Sequence, residues 1–156
     1  MTRLSEQIIT RTPVEEAFAY TADFNNIQEW DPGISESAQI GEGPVGLGTR
    51  FKVLVAFGNR RIPMVYTITE FDPPKRVVLV GQGSSLTAVD EITFAEVPQG
   101  TAIRYTADLT FKGFGRFVEP FLGKVLKGVG RKAVEGLSAA LRGSKEPAPA
   151  SPPATP

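Results

Sequence analysis

Six strand-like segments follow one another between residues 34 and 111, and this run constrains the fold more than any other feature. Their approximate bounds are 34–41, 49–58, 62–71, 76–82, 86–97 and 101–111. The links between them are short and rich in glycine, proline, asparagine and aspartate, as in Asp72-Pro73-Pro74. Links this short cannot carry the crossover that parallel strands need. The run therefore predicts an antiparallel meander.

Helical patterns flank the meander on both sides. A first strand at residues 3–10 leads into a helix that begins near Thr12-Pro13, and a short helical turn then reaches Trp30. Near the other end, apolar residues at helical spacing predict one long helix over residues 114–142. The whole pattern predicts an α+β domain in which helices cover one side of an antiparallel sheet of about seven strands. We expect residues 1–142 to form this domain and the Pro/Ala-rich residues 143–156 to be a disordered tail.

The composition excludes several kinds of chemistry. The chain has no cysteine and no histidine, so thiolate nucleophiles, histidine bases and the commonest metal ligands are missing. We therefore predict no metal and no cofactor, and any catalysis must use carboxylates, tyrosine, lysine or arginine. Lys plus Arg and Asp plus Glu both number 17, so no global charge favours nucleic acid. The first residues lack an apolar signal core and no segment reaches transmembrane length, which predicts a cytoplasmic location.

A glycine-rich segment, IGEGPVGLGTRF at residues 40–51, contains the letters of a nucleotide-binding loop. Such a loop holds phosphate at the N-terminus of a helix that follows it. Here the following residues, from Phe51 to Phe57, alternate as a strand does, and Pro44 removes one amide. The segment therefore predicts a hairpin turn between two strands.

Several stretches together resemble a known superfamily. They are TPVEEAFAYTADFNNIQEWDPGISES, GPVGLGTRFKV, YTITEFDPPKRVVLVGQG and DEITFAEVPQGTAIRYTADLTFKG, followed by the amphipathic helix. Over about residues 3–142 the chain resembles the START-like or SRPBCC superfamily, also called polyketide cyclase/dehydrase and lipid transport. The resemblance implies a helix-grip fold, in which a curved antiparallel sheet wraps the long C-terminal helix around a deep apolar cavity. Members bind lipids, sterols, polyketides or quinones, and some are cyclases or dehydratases.

The inward strand faces and the inner side of the last helix are the expected walls of this cavity. From the alternation of residues along the strands we nominate Phe51, Val53, Val55, Phe57, Met64, Tyr66, Ile68, Leu79, Ala88, Ile92, Phe94, Ile103 and Tyr105. From the last helix we add Phe121, Val125 and Val129. The alternative is that these side chains fill a core without a ligand.

Polar residues on the same faces are the candidates for chemistry. Asp90 lies on the same predicted strand face as Ala88 and Ile92, and Glu70 lies on the same predicted face as Tyr66. A buried carboxyl could act as a general acid or base, and Tyr66 or Tyr105 could donate a hydrogen bond to a ligand carbonyl. Alternatively, the two carboxylates lie at strand ends or pair with arginine.

Two further features concern access to the cavity. Trp30 either gates the ligand entrance or packs the helix pair against the sheet. Eight basic residues lie between Lys112 and Lys145, against two acids, and give the last helix a basic outer face. That face could touch an anionic membrane briefly, or it could simply be solvated.

Three functions remain open from the sequence. The first is a carrier or sensor of a hydrophobic small molecule. The second is a cyclase or dehydratase that uses a cavity carboxylate and a tyrosine. The third is a module that acts on a protein partner through its basic helix. The sequence gives no oligomeric state.

Overall fold

The computed structural model describes residues 1–113 and 115–145, with side chains for residues 1–113 and 125–141. The elements are, in chain order, β1 (Thr2–Thr10), α1 (Val14–Ala22), a 3-10 turn (Phe24–Asn26), α2 (Ile27–Trp30), β2 (Ile34–Ile40), β3 (Arg50–Phe57), β4 (Arg60–Asp72), β5 (Arg76–Gly83), β6 (Leu86–Val97), β7 (Gly100–Phe111) and α3 (Gly115–Lys145).

The strands form one antiparallel sheet in the order β1-β7-β6-β5-β4-β3-β2. Strands β2 to β7 are the predicted meander, and β1 lies at the far edge, where Thr2 to Thr10 pair with Leu109 to Thr101 of β7. The predicted α+β helix-grip fold is confirmed. Helix α3 extends to Lys145, beyond the predicted end at residue 142, and residues 146–156 of the predicted tail lie outside the described residues.

The glycine-rich segment is the predicted hairpin connection. It joins β2 to β3, which pair with each other, and no helix follows it. Gly41, Gly43 and Gly48 have φ angles of 88°, 110° and 87°, a region that side chains rarely adopt. These residues therefore serve the turn of the chain.

The inward face of the sheet is covered by two different sets of elements. Phe18 of α1 packs edge-on against Phe94 at 5.1 Å between ring centroids, and Phe24 packs against Phe51 at 5.9 Å. Helix α3 lies over the other half of the sheet, against β1 and β7, and also contacts α2. Leu126, Leu137 and Leu141 of α3 are buried there. The position of α3 thus decides whether space remains between helix and sheet.

Helices α2 and α3 meet backbone to backbone. A Cβ atom added at Gly136 of α3 would lie 1.9 Å from the carbonyl oxygen of Trp30. Glycine is the only residue that permits this approach without movement of one helix.

Replacing Gly136 with alanine tests this contact. We expect Gly136→Ala to lower the free energy of unfolding by about 1–3 kcal/mol, because the added methyl group forces the helices apart. Gly128→Ala is the matched control, because a Cβ atom added at Gly128 of the same helix would meet no neighbouring group within 4 Å. This variant should raise the free energy of unfolding by up to about 1 kcal/mol, since alanine has the higher helix propensity. Urea denaturation measures both, and a stabilised Gly136→Ala variant would contradict the close contact.

Candidate functional site

A cavity of about 120 Å³ lies between the sheet, the α2 end and α3. Its walls are mostly apolar and come from every strand except β5, from α2 and α3, and from the segment after α2. Four titratable side chains, Asp31, Tyr66, Asp90 and Tyr105, interrupt this apolar lining, and Glu6 joins them from β1. The cavity therefore combines mostly apolar walls with a few polar side chains, as ligand-binding sites do.

Asp90 and Tyr105 form a hydrogen-bonded pair in the wall. Asp90 on β6 is opposite Ala107 of β7, two residues from Tyr105, and only 4% of it is exposed. The Tyr105 hydroxyl donates to Oδ2 of Asp90. Burial raises the pKa of Asp90 to about 7, the Tyr105 hydrogen bond opposes this rise, and the charges of Asp31 and Asp108 add to it.

Trp30 packs against the tyrosine of this pair. Its ring packs against Tyr105 in an edge-on contact with ring centroids 6.0 Å apart. Trp30 is 2% exposed and does not line the cavity. Trp30 therefore packs α2 against Tyr105 of β7, and a gating role for it stays a prediction.

Tyr66 packs its ring over a glycine on the next strand. Gly81 of β5 pairs with Tyr66 of β4, and a Cβ atom at Gly81 would lie 2.6 Å from the Tyr66 ring. The ring can therefore lie across β5. Tyr66 is 6% exposed, and its hydroxyl has no hydrogen-bond partner among the described residues. Burial, followed by the charges of Asp90 and Asp31, raises the pKa of Tyr66 well above its usual value.

Asp31 is a site residue that sequence reasoning missed. It follows α2, and its Oδ1 accepts a hydrogen bond from the amide of Gly33 at 2.8 Å. Burial raises its pKa to about 6, while the Gly33 hydrogen bond opposes the rise. In the sequence, Asp31-Pro32-Gly33 indicates only a turn. Its position directly after an aromatic residue that can anchor the helix was the one available signal.

The structure places Glu70 outside the cavity, so the prediction that it shares the inward face of β4 with Tyr66 is wrong. The pairing register shifts by one residue between Ile68, which is opposite Leu79, and Glu70, which is opposite Val78, so β4 has a β-bulge at Thr69. The bulge reverses the alternation, so Phe71 faces α1 and Glu70 points outward, where it pairs with Arg76.

The other nominated residues divide into three groups. Val55, Phe57 and Val129 line the cavity. The buried residues that do not line it are Phe51, Val53, Met64, Ile68, Leu79, Ala88, Ile92, Phe94 and Ile103. Val125 is 57% exposed, and Phe121 lies outside the residues whose side chains are described.

These groups differ because different elements pack over different parts of the inward face of the sheet. Alternation identifies the inward face, but α1 and the 3-10 turn fill the space over part of it. Lining residues that the sequence reasoning missed include Leu4, Ile27, Leu86, Ala107, Leu126 and Ala133.

The outer face of α3 carries exposed basic side chains at Lys127, Arg131 and Lys132. The other predicted basic residues of this helix lie outside the described side chains. Within residues 1–113 and 115–145, no helix combines the length and the apolar character needed to cross a membrane. Membrane contact through this face stays a prediction.

Comparison with known proteins agrees with the architecture. Residues 1–142 match the family described as polyketide cyclase/dehydrase and lipid transport. Similar solved structures include protein TTHA0849 from Thermus thermophilus, with 12% identity, coverage of 91% of this chain and 98% of that chain, and a TM-score of 0.77. A START superfamily protein from Mycobacterium smegmatis has 16% identity, coverage of 92% and 97%, and a TM-score of 0.67.

The Zhui aromatase/cyclase from a Streptomyces species has 12% identity, coverage of 91% and 92%, and a TM-score of 0.69. At these identities the likeness concerns the fold. No curated protein matches the chain in sequence.

The buried carboxyl of Asp90 makes a pH-dependent prediction. Its pKa is about 7 in the folded protein, against an ordinary value of 3.8 that applies to the unfolded chain. Between these two pH values the folded state keeps a proton that the unfolded state has lost. Stability from this group therefore falls as pH rises from about 4 to about 7, by on the order of 2–4 kcal/mol, and is constant above. Asp90→Asn removes this loss, so the variant should gain stability relative to the original protein across that range.

Urea denaturation at several pH values measures the difference. Asp108→Asn is the control, because the paired Arg3 lowers the pKa of Asp108. Its stabilisation is present above the ordinary pKa and is lost as pH falls, so this variant should show a small change of the opposite sign. A difference for Asp90→Asn that does not vary with pH would contradict the buried position of its charge.

Proposed function

Because the chain belongs to the polyketide cyclase/dehydrase and lipid transport family, we propose that it binds a hydrophobic small molecule between the sheet and α3, as a carrier or sensor. The observation that carries the proposal is the apolar cavity with the Asp90–Tyr105 pair in its wall. Apolar walls provide affinity, and a few polar groups fix the orientation of a ligand.

The size of the cavity sets the size of the part that is bound. At about 120 Å³ it is close to the roughly 150 Å³ of an apolar cavity that holds benzene. We therefore propose that a single ring, or a chain segment of similar volume, occupies it. Val129 of α3, which is 39% exposed, lies where the lining meets solvent, so the rest of a longer ligand would extend past this residue.

A second candidate function is acid–base catalysis on a ligand in the same cavity. It is favoured by one observation: Asp90 has a pKa of about 7 and lies with the unpartnered Tyr66 hydroxyl in the same lining. A carboxyl with this pKa can take up and release a proton near neutral pH, and a tyrosine can donate to a developing enolate. This candidate corresponds to the cyclase or dehydratase alternative.

The bound compound distinguishes the two candidates. Native mass spectrometry of the purified protein, followed by denaturing extraction, identifies it. For a carrier, the compound is recovered unchanged after incubation with the protein. For an enzyme, it is converted, and Asp90→Asn stops the conversion.

Filling the cavity tests binding itself. Ala133 of α3 lines the cavity and is 7% exposed. We expect Ala133→Leu to reduce the affinity for a neutral ring probe, 2-phenylethanol, by roughly tenfold or more, because the added side chain occupies the ring's place. Titration calorimetry measures the affinity.

Ala139→Leu is the matched control, since Ala139 is exposed on the same helix. It should bind the probe as the original protein does. Thermal unfolding of both variants checks that they are folded, and Ala107→Leu repeats the test from the sheet side. Equal affinity in all the variants would show that the probe binds elsewhere.

A further inference from the structure

We propose that the cavity selects a ligand whose polar end is a protonated amine, held by the carboxylates of Asp90 and Asp31, on an apolar body of about one ring. This inference rests on the proposed function, since it names the ligand class of the same cavity. It follows from the signs of the charges in the lining, from unused hydrogen-bonding groups and from the volume available.

All charged residues in the described lining are acids. They are Glu6, Asp31 and Asp90, and no described lysine or arginine lines the cavity. Two arginines elsewhere on the sheet already pair with other carboxylates. Arg3 forms a bidentate pair with Asp108, at 2.7 and 2.9 Å, and Arg76 pairs with Glu91 at 2.7 Å and with Glu70.

Carboxylates without a counter-charge are costly in an apolar cavity. The free protein can reduce this cost by keeping protons on Asp90 and Asp31. A cationic ligand offers another solution, because its charge replaces those protons and pairs with the carboxylates. An anionic headgroup, such as a fatty-acid carboxylate, would add a further like charge and be repelled.

The hydrogen-bonding groups also match an ammonium. Asp90 uses Oδ2 for Tyr105, and Asp31 uses Oδ1 for Gly33, while their other oxygens accept no hydrogen bond from the described residues. The Tyr66 hydroxyl, in a residue that is 6% exposed, is likewise unpartnered within the described part of the chain. Together these groups offer acceptors for the three donors of a primary ammonium.

Aromatic rings complete the environment. Tyr66 and Tyr105 both line the cavity, and the faces of such rings attract cations. Most of the remaining lining is aliphatic, as at Leu4, Leu86 and Leu126, and suits the apolar body of the ligand. The cavity volume of about 120 Å³ limits that body to about one ring.

Three probes of nearly equal size separate the effect of charge from that of shape. They are 2-phenylethylamine, 2-phenylethanol and phenylacetate, measured by titration calorimetry at pH 8, where Asp90 is ionised and the amine is protonated. We expect the amine to bind roughly tenfold or more tightly than the alcohol, since hydrogen bonds to charged groups are the stronger ones. Phenylacetate should not bind measurably.

Asp90→Asn then tests the assigned carboxylate at constant volume. It should lower the affinity for the amine by roughly tenfold or more and leave that for the alcohol within about twofold. Asp31→Asn should act in the same direction. Glu91→Gln is the matched control: Glu91 is the next residue on β6, and its carboxylate bonds to Arg76 outside the cavity. It should leave both affinities unchanged.

Each outcome decides the inference. If the amine and the alcohol bind equally and Asp90→Asn changes neither, the preference for a cation is wrong while the proposed binding function stands. Tighter binding of phenylacetate overturns the inference in the same way. If none of the three probes binds, both the inference and the proposed cavity function fail.

Discussion

The close contact between Gly136 and the carbonyl of Trp30 determines much of the remaining structure. It fixes α3 against α2, and so fixes the distance between α3 and the sheet. The same tryptophan packs its ring against Tyr105, whose hydroxyl donates to Asp90. Helix packing and the polar pair of the cavity therefore share one residue, and a change in the helix contact would reach the carboxyl through two rings.

Much of the fold could be predicted because its main signals are local. Strand alternation and short turn-rich links specify an antiparallel meander without any tertiary information, and the observed strands from Ile34 to Phe111 follow it. The glycine loop was also interpretable, since the alternation after Phe51 excludes the helix that a phosphate loop needs. Asp90 was recognised because it interrupts an apolar face.

The rest of the site depends on geometry that alternation does not contain. A single bulge at Thr69 and Glu70 reverses the faces of β4, and nothing in the local sequence marks it. Phe51 faces inward as predicted but meets Phe24, because the 3-10 turn covers that part of the sheet. Asp31 lies on a turn, where no periodicity applies, and only the path of the chain after α2 brings it into the cavity wall.

The position of Trp30 also makes its intrinsic fluorescence a probe of the cavity. It is the one tryptophan in the sequence, it is 2% exposed, and its indole nitrogen has no hydrogen-bond partner among the described residues. Emission from an indole in such an apolar setting lies toward shorter wavelengths than emission from one in water. Because the ring touches Tyr105, ionisation of Asp90 or the arrival of a ligand changes its surroundings. Occupancy of the cavity can therefore be followed by intrinsic fluorescence, without a label.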